Sequence, residues 1–267
     1  MSVLKWLESF PLVDPRPTAA DHPWSVKDFG DLSQNYQDVL VQVFEHDLTD
    51  AVLVYSPRFP YRRDRREYLL AQKGDILLYC ERNGKGQMNN TIIAQNQVIA
   101  LYSCEDLLLG ELVVYFLEDG HKIRNITIRY NRSRKDLYLP YLDWVFCNSS
   151  WEVTQAQKDS RPDTLRQEQY GLYNYSLDAF RLGNIESSWH WEESDWKKGG
   201  LFPAKVHTDG LLCSMERGEV IITLEKTKVE SWYFLKDKRI QLTQEYQENT
   251  TVFKLNGIPV ATVHGRL

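Results

Sequence analysis

Between Ser56 and Leu70 the chain reads SPRFPYRRDRREYLL, with Arg58, Arg62, Arg63, Arg65 and Arg66 inside nine residues against a single acid, Asp64. Guanidinium groups are planar forks that hold phosphate or carboxylate through paired N–H donors. Five cations less one acid leave this segment at +4 in a chain of formal net charge −5. That contrast suits a local anion site for a lipid headgroup, a phosphate or an acidic protein surface. Beside an anionic bilayer each basic residue contributes about 1 kcal/mol, so the loop would hold the chain there by about 4 kcal/mol. The plainer alternative is a solvated loop that keeps a sheet edge soluble or pairs with carboxylates elsewhere.

A second concentration of chemistry is WHWEESDW, which holds Trp189, Trp191 and Trp196. On a strand Trp189 and Trp191 face the same side. They form either an exposed interaction patch or part of a core or domain interface, since large aromatics dominate both. Lys197 and Lys198 follow in what reads as a solvated turn. His190, His207, His264 and Cys213 fall in the same region, but no HxH, HExxH or CxxC spacing joins them. They read as ordinary strand residues, and no metal is expected. The glycines of RNGKGQ, Gly84 and Gly86, mark a hairpin rather than a phosphate loop. No nucleophile elbow, kinase set or placed carboxylate pair stands out, so no catalytic residue and no cofactor are assigned. Asp143, beside Trp144, reads as a surface acid.

Composition narrows the classes. The chain has 267 residues, 42% of them hydrophobic and 12% aromatic, enough for a globular core in one large or two ordinary domains. Its mild acidity argues against nucleic acid as a partner. Cys80, Cys104, Cys147 and Cys213 include no CxxC pair, and three of the four sit in apolar runs. They read as buried free thiols of a reducing compartment. The opening MSVLKWLESFPLVDP lacks the apolar stretch of a signal peptide, and no run approaches the roughly 18 apolar residues of a membrane span. The expectation is a cytoplasmic protein without a transmembrane segment, peripheral to a membrane only through the arginine loop.

Prolines 11, 15, 17 and 23 make residues 1 to about 33 an irregular arm. SQNYQDVLVQVFEHDL then has helical spacing, with Ser33 as N-cap. From residue 51 the period becomes that of short strands: AVLVYS, EYLLAQ, DILLYCER, NTIIAQ, QVIALYS, ELVVYFL and KIRNITIRY, with LEDGHK as a hairpin turn. DLYLPYLDWVF closes this stretch as a helix carrying Pro140. Residues 148 to 162 read as a polar linker. DTLRQEQYGLYNYSLDAFRLG reads as one helix capped by Asp163 or Thr164 and stopped at Gly183. Strands resume as IESSWHWEE, FPAKVHT, GLLCSMERG, EVIITLEK, KVESWYFLKD, RIQLTQEY, TTVFKLN and PVATVHG, with DG, RG, KD and NG as turns.

Four stretches resemble pleckstrin-homology-like domains of uncharacterised bacterial proteins: AVLVYSPRFPYRRDRREYLLAQKGDILLYCE, GELVVYFLEDGHKIRNITIRYNRSRKDLYLPYLDWV, YGLYNYSLDAFRLG and VHTDGLLCSMERG, the last as a hairpin with a T-D-x-x-L turn. The resemblance implies a mainly β protein with a few helices: two tandem pleckstrin-homology-like antiparallel β-barrel or sheet domains. The divisions are 1–49, an arm and helix; 50–147, a β domain with a terminal helix; 148–183, a linker and helix; and 184–267, a second β domain without that helix. It implies a non-catalytic binding or scaffold role toward a protein partner or a second copy. Residues 58–66 would then lie in the loop that faces an anionic headgroup in lipid-binding members, although AVLVYS lacks their first-strand lysine. An enzyme working in a cleft between the halves is the remaining alternative.

Overall fold

The computed structural model describes residues 23–45, 47–57, 66–146, 154–199, 202–236, 242–247 and 250–264, with backbone alone at 195–199, 202–204 and 263–264. The protein is mainly β, with three antiparallel sheets and a few helices. The first sheet has the order β1 (Trp24–Ser25), β2 (Val52–Ser56), β3 (Glu67–Lys73), β4 (Ile76–Arg82), β5 (Met88–Ala94). The second has β6 (Val98–Asp106), β7 (Leu109–Glu118) and β8 (Lys122–Asn131) on one side. On the other are β9 (Ile185–Gly199), β10 (Phe202–Met215), β11 (Gly218–Glu225) and β12 (Lys228–Leu235). Its order is β8-β7-β6-β12-β11-β10-β9. The third joins β13 (Leu242–Gln247), β14 (Thr250–Leu255) and β15 (Ile258–His264).

No closed barrel forms among the described residues. The seven strands expected to curl together over 51–130 divide four and three between the first two sheets. The free edge of β6 is taken by β12, from Lys228↔Asp106 to Phe234↔Ala100. Strands from both halves of the chain thus share one ladder.

Three apolar layers follow from this. Strands β6 and β7 bury both faces, so their runs are continuously apolar rather than alternating. On one face Leu101, Leu112 and Val114 meet Val54, Leu70 and Ile93 of the first sheet. On the other, Ile99, Ala100 and Leu117 join Phe253 and Leu255 of the third sheet, so β6 and β7 help to cover the second half's core. The outer face of the first sheet, Leu69, Ala71, Leu78 and Cys80, is covered by Tyr36 and Leu40 of α1 (Gln34–Phe44). Ser33 stands at the N-cap of α1, as its spacing predicts, but makes no capping hydrogen bond.

The helix after β8 begins as a 3₁₀ turn, Arg132–Tyr138, and continues as α2 (Leu139–Val145), with Pro140 in the first turn where its missing N–H costs nothing. Its Tyr141 hydroxyl lies 3.0 Å from Val52 O and 3.2 Å from Leu70 O, and Trp144 Nε1 donates to Gly74 O at 3.0 Å. These bonds hold α2 on the first sheet.

Elsewhere the elements differ from expectation. The polar linker contains α3 (Gln155–Asp159), capped by Thr154. The single helix expected after it is broken at Gln169 into α4 (Asp163–Glu168) and α5 (Tyr170–Ala179), and Pro162 rather than Asp163 or Thr164 occupies the N-cap. Gly183 does end the run, at φ +99°. The Asp209–Gly210 turn does not exist: both residues lie inside β10, facing Glu192 and Trp191. A Cβ at Gly210 would stand 1.9 Å from Trp191 Cζ2, so this glycine serves close packing rather than chain reversal. Lys197 and Lys198 likewise belong to β9, paired with Ala204 and Pro203, not to a turn.

Candidate functional site: a tyrosine- and arginine-lined cleft

Where β2 ends and β3 begins, a small cleft opens between the first sheet and strands β7 and β8. Its chemistry comes from Arg66, Tyr68, Tyr79, Arg129 and Tyr130. Arg66 enters just before β3, Tyr68 and Tyr79 point inward from adjacent strands, and Arg129 and Tyr130 come from β8. The floor depends on Gly110 of β7. A Cβ there would lie 2.2 Å from the Tyr130 ring, so only glycine lets that ring lie against the strand. A glycine inside an apolar strand run, as in LLLGELVVY, marks such an approach; it is the signal in the sequence that points here.

The hydroxyls form a chain. Tyr68 donates to Arg129 O at 2.7 Å, which leaves the Tyr138 hydroxyl, 2.8 Å away, to donate to Tyr68. Tyr79 lies 2.8 Å from Glu81 Oε2 and 3.1 Å from Thr127 O, two acceptors for one proton. Burial raises the pKa of Tyr68, Tyr79 and Tyr130 well above the phenol range, so all three remain neutral donors.

The arginines are counterbalanced. Arg66 Nη1 is 3.2 Å from Glu81 Oε2, and Arg129 Nε is 2.6 Å from Glu111 Oε2. As a set these four charges cancel. Both guanidinium groups sit on a partly exposed rim, and the chemistry on offer is mixed aromatic and ion-pair recognition.

Of the residues singled out by sequence, Arg66 alone is placed on this cleft. Arg58, Arg62, Arg63 and Arg65 lie outside the described residues. Trp191 is 6% exposed and packs in the core between the second and third sheets, stacked on half-buried Trp189 at 5.1 Å. The reading of these rings as an exposed patch is therefore corrected for Trp191, whose ring is held down over Gly210. The Trp196 side chain lies outside the described set.

A second, small pocket lies between the halves, with Glu105, Lys135, Asp178 and Arg181 converging on it. Here each carboxylate already carries cations. Glu105 meets Arg132 at 2.8 Å and Lys135 at 2.5 Å, and Arg181 meets Asp178 at 2.6 Å and Asp143 at 3.4 Å. Asp143 is thus half-buried and ion-paired rather than a surface acid. Desolvation raises its pKa although Arg181 opposes the shift. Arg181, 3% exposed, escaped the sequence reading because only contacts from three separate elements make it central.

Comparison with known proteins finds no matching family model, no matching curated protein and no matching solved structure.

Proposed function

We propose that the chain is a non-catalytic binding module of the pleckstrin-homology-like type, and that it takes a protein segment in the cleft between Arg66, Tyr79 and Arg129. The order of four strands, three strands and a helix, followed by four and three again, supports the tandem plan. The observation that carries the reading is the cleft lining. Tyrosine and arginine, in a partly desolvated pocket, are the residues that dominate binding energy at protein interfaces. The free thiols at Cys80 and Cys213, pushed up to about 12 by burial, fit a reducing compartment.

The test is to pan a random dodecapeptide library on the full chain and measure enriched clones by fluorescence polarisation. Binding is expected to fall by at least about tenfold in Arg66→Ala/Arg129→Ala, as for loss of paired hot spots. Enriched peptides that bind both proteins equally, or no enrichment, would overturn the reading.

A second reading rests on a specific placement: Pro57 and Arg66, the two ends of the arginine segment, both line the cleft. An anionic headgroup held there would make phosphatidylserine vesicles sediment the protein at low salt, with loss in Arg62→Glu/Arg63→Glu. Absence of sedimentation removes it.

A further inference from the structure

Strands β9 and β10 carry a second set of groups whose arrangement goes beyond that reading. Alternate residues of a strand share a face, so His190, Glu192 and Ser194 project from β9 opposite to Trp189 and Trp191. Across the ladder they meet Leu211, Asp209 and His207. One ligand atom from each of His190, Glu192 and Asp209 lies within 4.8 Å of the others.

Several features make this set unstable as it stands. Glu192 and Asp209 are directly opposite on one face, where like charges repel. Asp209 is 6% exposed, so water screens that repulsion poorly. No hydrogen bond reaches the buried Nε2 of His190. His207 is oriented by the 3.0 Å contact of its Nδ1 with Ser194 Oγ, which leaves Nε2 3.1 Å from Asp209 Oδ1. An imidazole nitrogen without a partner and two facing carboxylates, one of them met by the His207 imidazole, share one need, a cation between them.

We propose that His190, Glu192 and Asp209, with His207 beside them, bind one divalent transition-metal ion of the zinc class. Mixed imidazole and carboxylate donors suit zinc or cobalt, whereas magnesium and calcium take oxygen donors. The ion reverses the sign of the Glu192–Asp209 interaction and fastens β9, the outermost strand of its sheet, to β10. No motif announced it because the donors alternate with tryptophan on one strand and come from a partner strand some 17 residues away.

The experiment uses the full chain stripped with chelator, titrated calorimetrically with zinc chloride and followed by the visible absorption of bound cobalt(II). One ion per chain is expected, with no uptake of magnesium. Glu192→Gln, a change at an exposed side chain that leaves far-UV circular dichroism intact, is expected to weaken zinc by at least about tenfold. Glu193→Gln, on the opposite face, should leave the affinity unchanged. Zinc should raise the melting temperature of the wild type and not of Glu192→Gln. Failure to take up zinc overturns the proposal. So does uptake that Glu192→Gln and His190→Gln leave unaltered.

Discussion

Trp232 of β12 lies directly opposite Tyr102 of β6, with ring centroids 4.7 Å apart. The Tyr102 hydroxyl also donates to Glu230 on the partner strand. This pair spans the junction between the two halves, and Phe234 continues it, stacked on Trp232 at 5.7 Å and on Phe253 at 6.2 Å. Phe234 is 1% exposed, so Phe234→Ala is expected to cost about 3–5 kcal/mol. Because the ladder is shared, hydrogen exchange read by mass spectrometry should quicken in β6 as well as β12. Acceleration confined to residues 228–235 would show that the halves are held separately.

Gly210 admits no side chain without displacing the Trp191 indole. Gly210→Ala should destabilise the protein by about 1–3 kcal/mol through overpacking. Adding Trp191→Phe, which removes the ring edge in contact with Gly210, is expected to restore part of the loss. Urea denaturation of the three variants measures both effects, and additive losses would contradict the packing argument.

Arg181 sits between Asp143 of α2 and Asp178 of α5, and its carbonyl accepts a bond from Arg217. Replacing it by methionine leaves two carboxylates facing each other without a cation. The expected loss is about 3–5 kcal/mol, and Asp143→Asn in the same background should return some of it. A chemical melt showing Arg181→Met as stable as the wild type would mean that the network contributes specificity rather than stability.

Asp47 accepts from Lys73 Nζ at 2.5 Å and from Thr49 N at 3.0 Å. The Lys73 bond, with help from Thr49, lowers its pKa from 3.8 to about 2. A depressed carboxylate stabilises the fold fully above its unfolded pKa and loses that contribution as pH falls through the folded value. The Asp47 contribution should thus fade between pH 3.8 and about 2. Carboxyl-carbon NMR titration reads the midpoint directly, and a midpoint at 3.8 or above would refute the Lys73 contact in solution.

Local chemistry was legible in the chain. Asp119–Gly120 and Asn256–Gly257 adopt the positive φ that such dipeptides accept, and both close hairpins. Tyr36 and Leu40 recur at helical spacing and are buried on one face of α1. Ile126, Ile128 and Tyr130 alternate along β8 and face one core. The cleft was half legible: Arg66 stood out by charge, while Tyr68, Tyr79 and Tyr130 looked like any core aromatic.

What the sequence by itself determined is the β-rich class and the positions of most strands, because side-chain periodicity and turn chemistry act over a few residues. Which strands pair was decided only in three dimensions. A ladder hydrogen bond joins backbone groups, which are the same in every residue, so nothing in β6 names β12 as its neighbour. The same holds for Gly210, read as a turn until Trp191 lay across it, and for His190 and Asp209, whose common need appears only when two strands lie side by side.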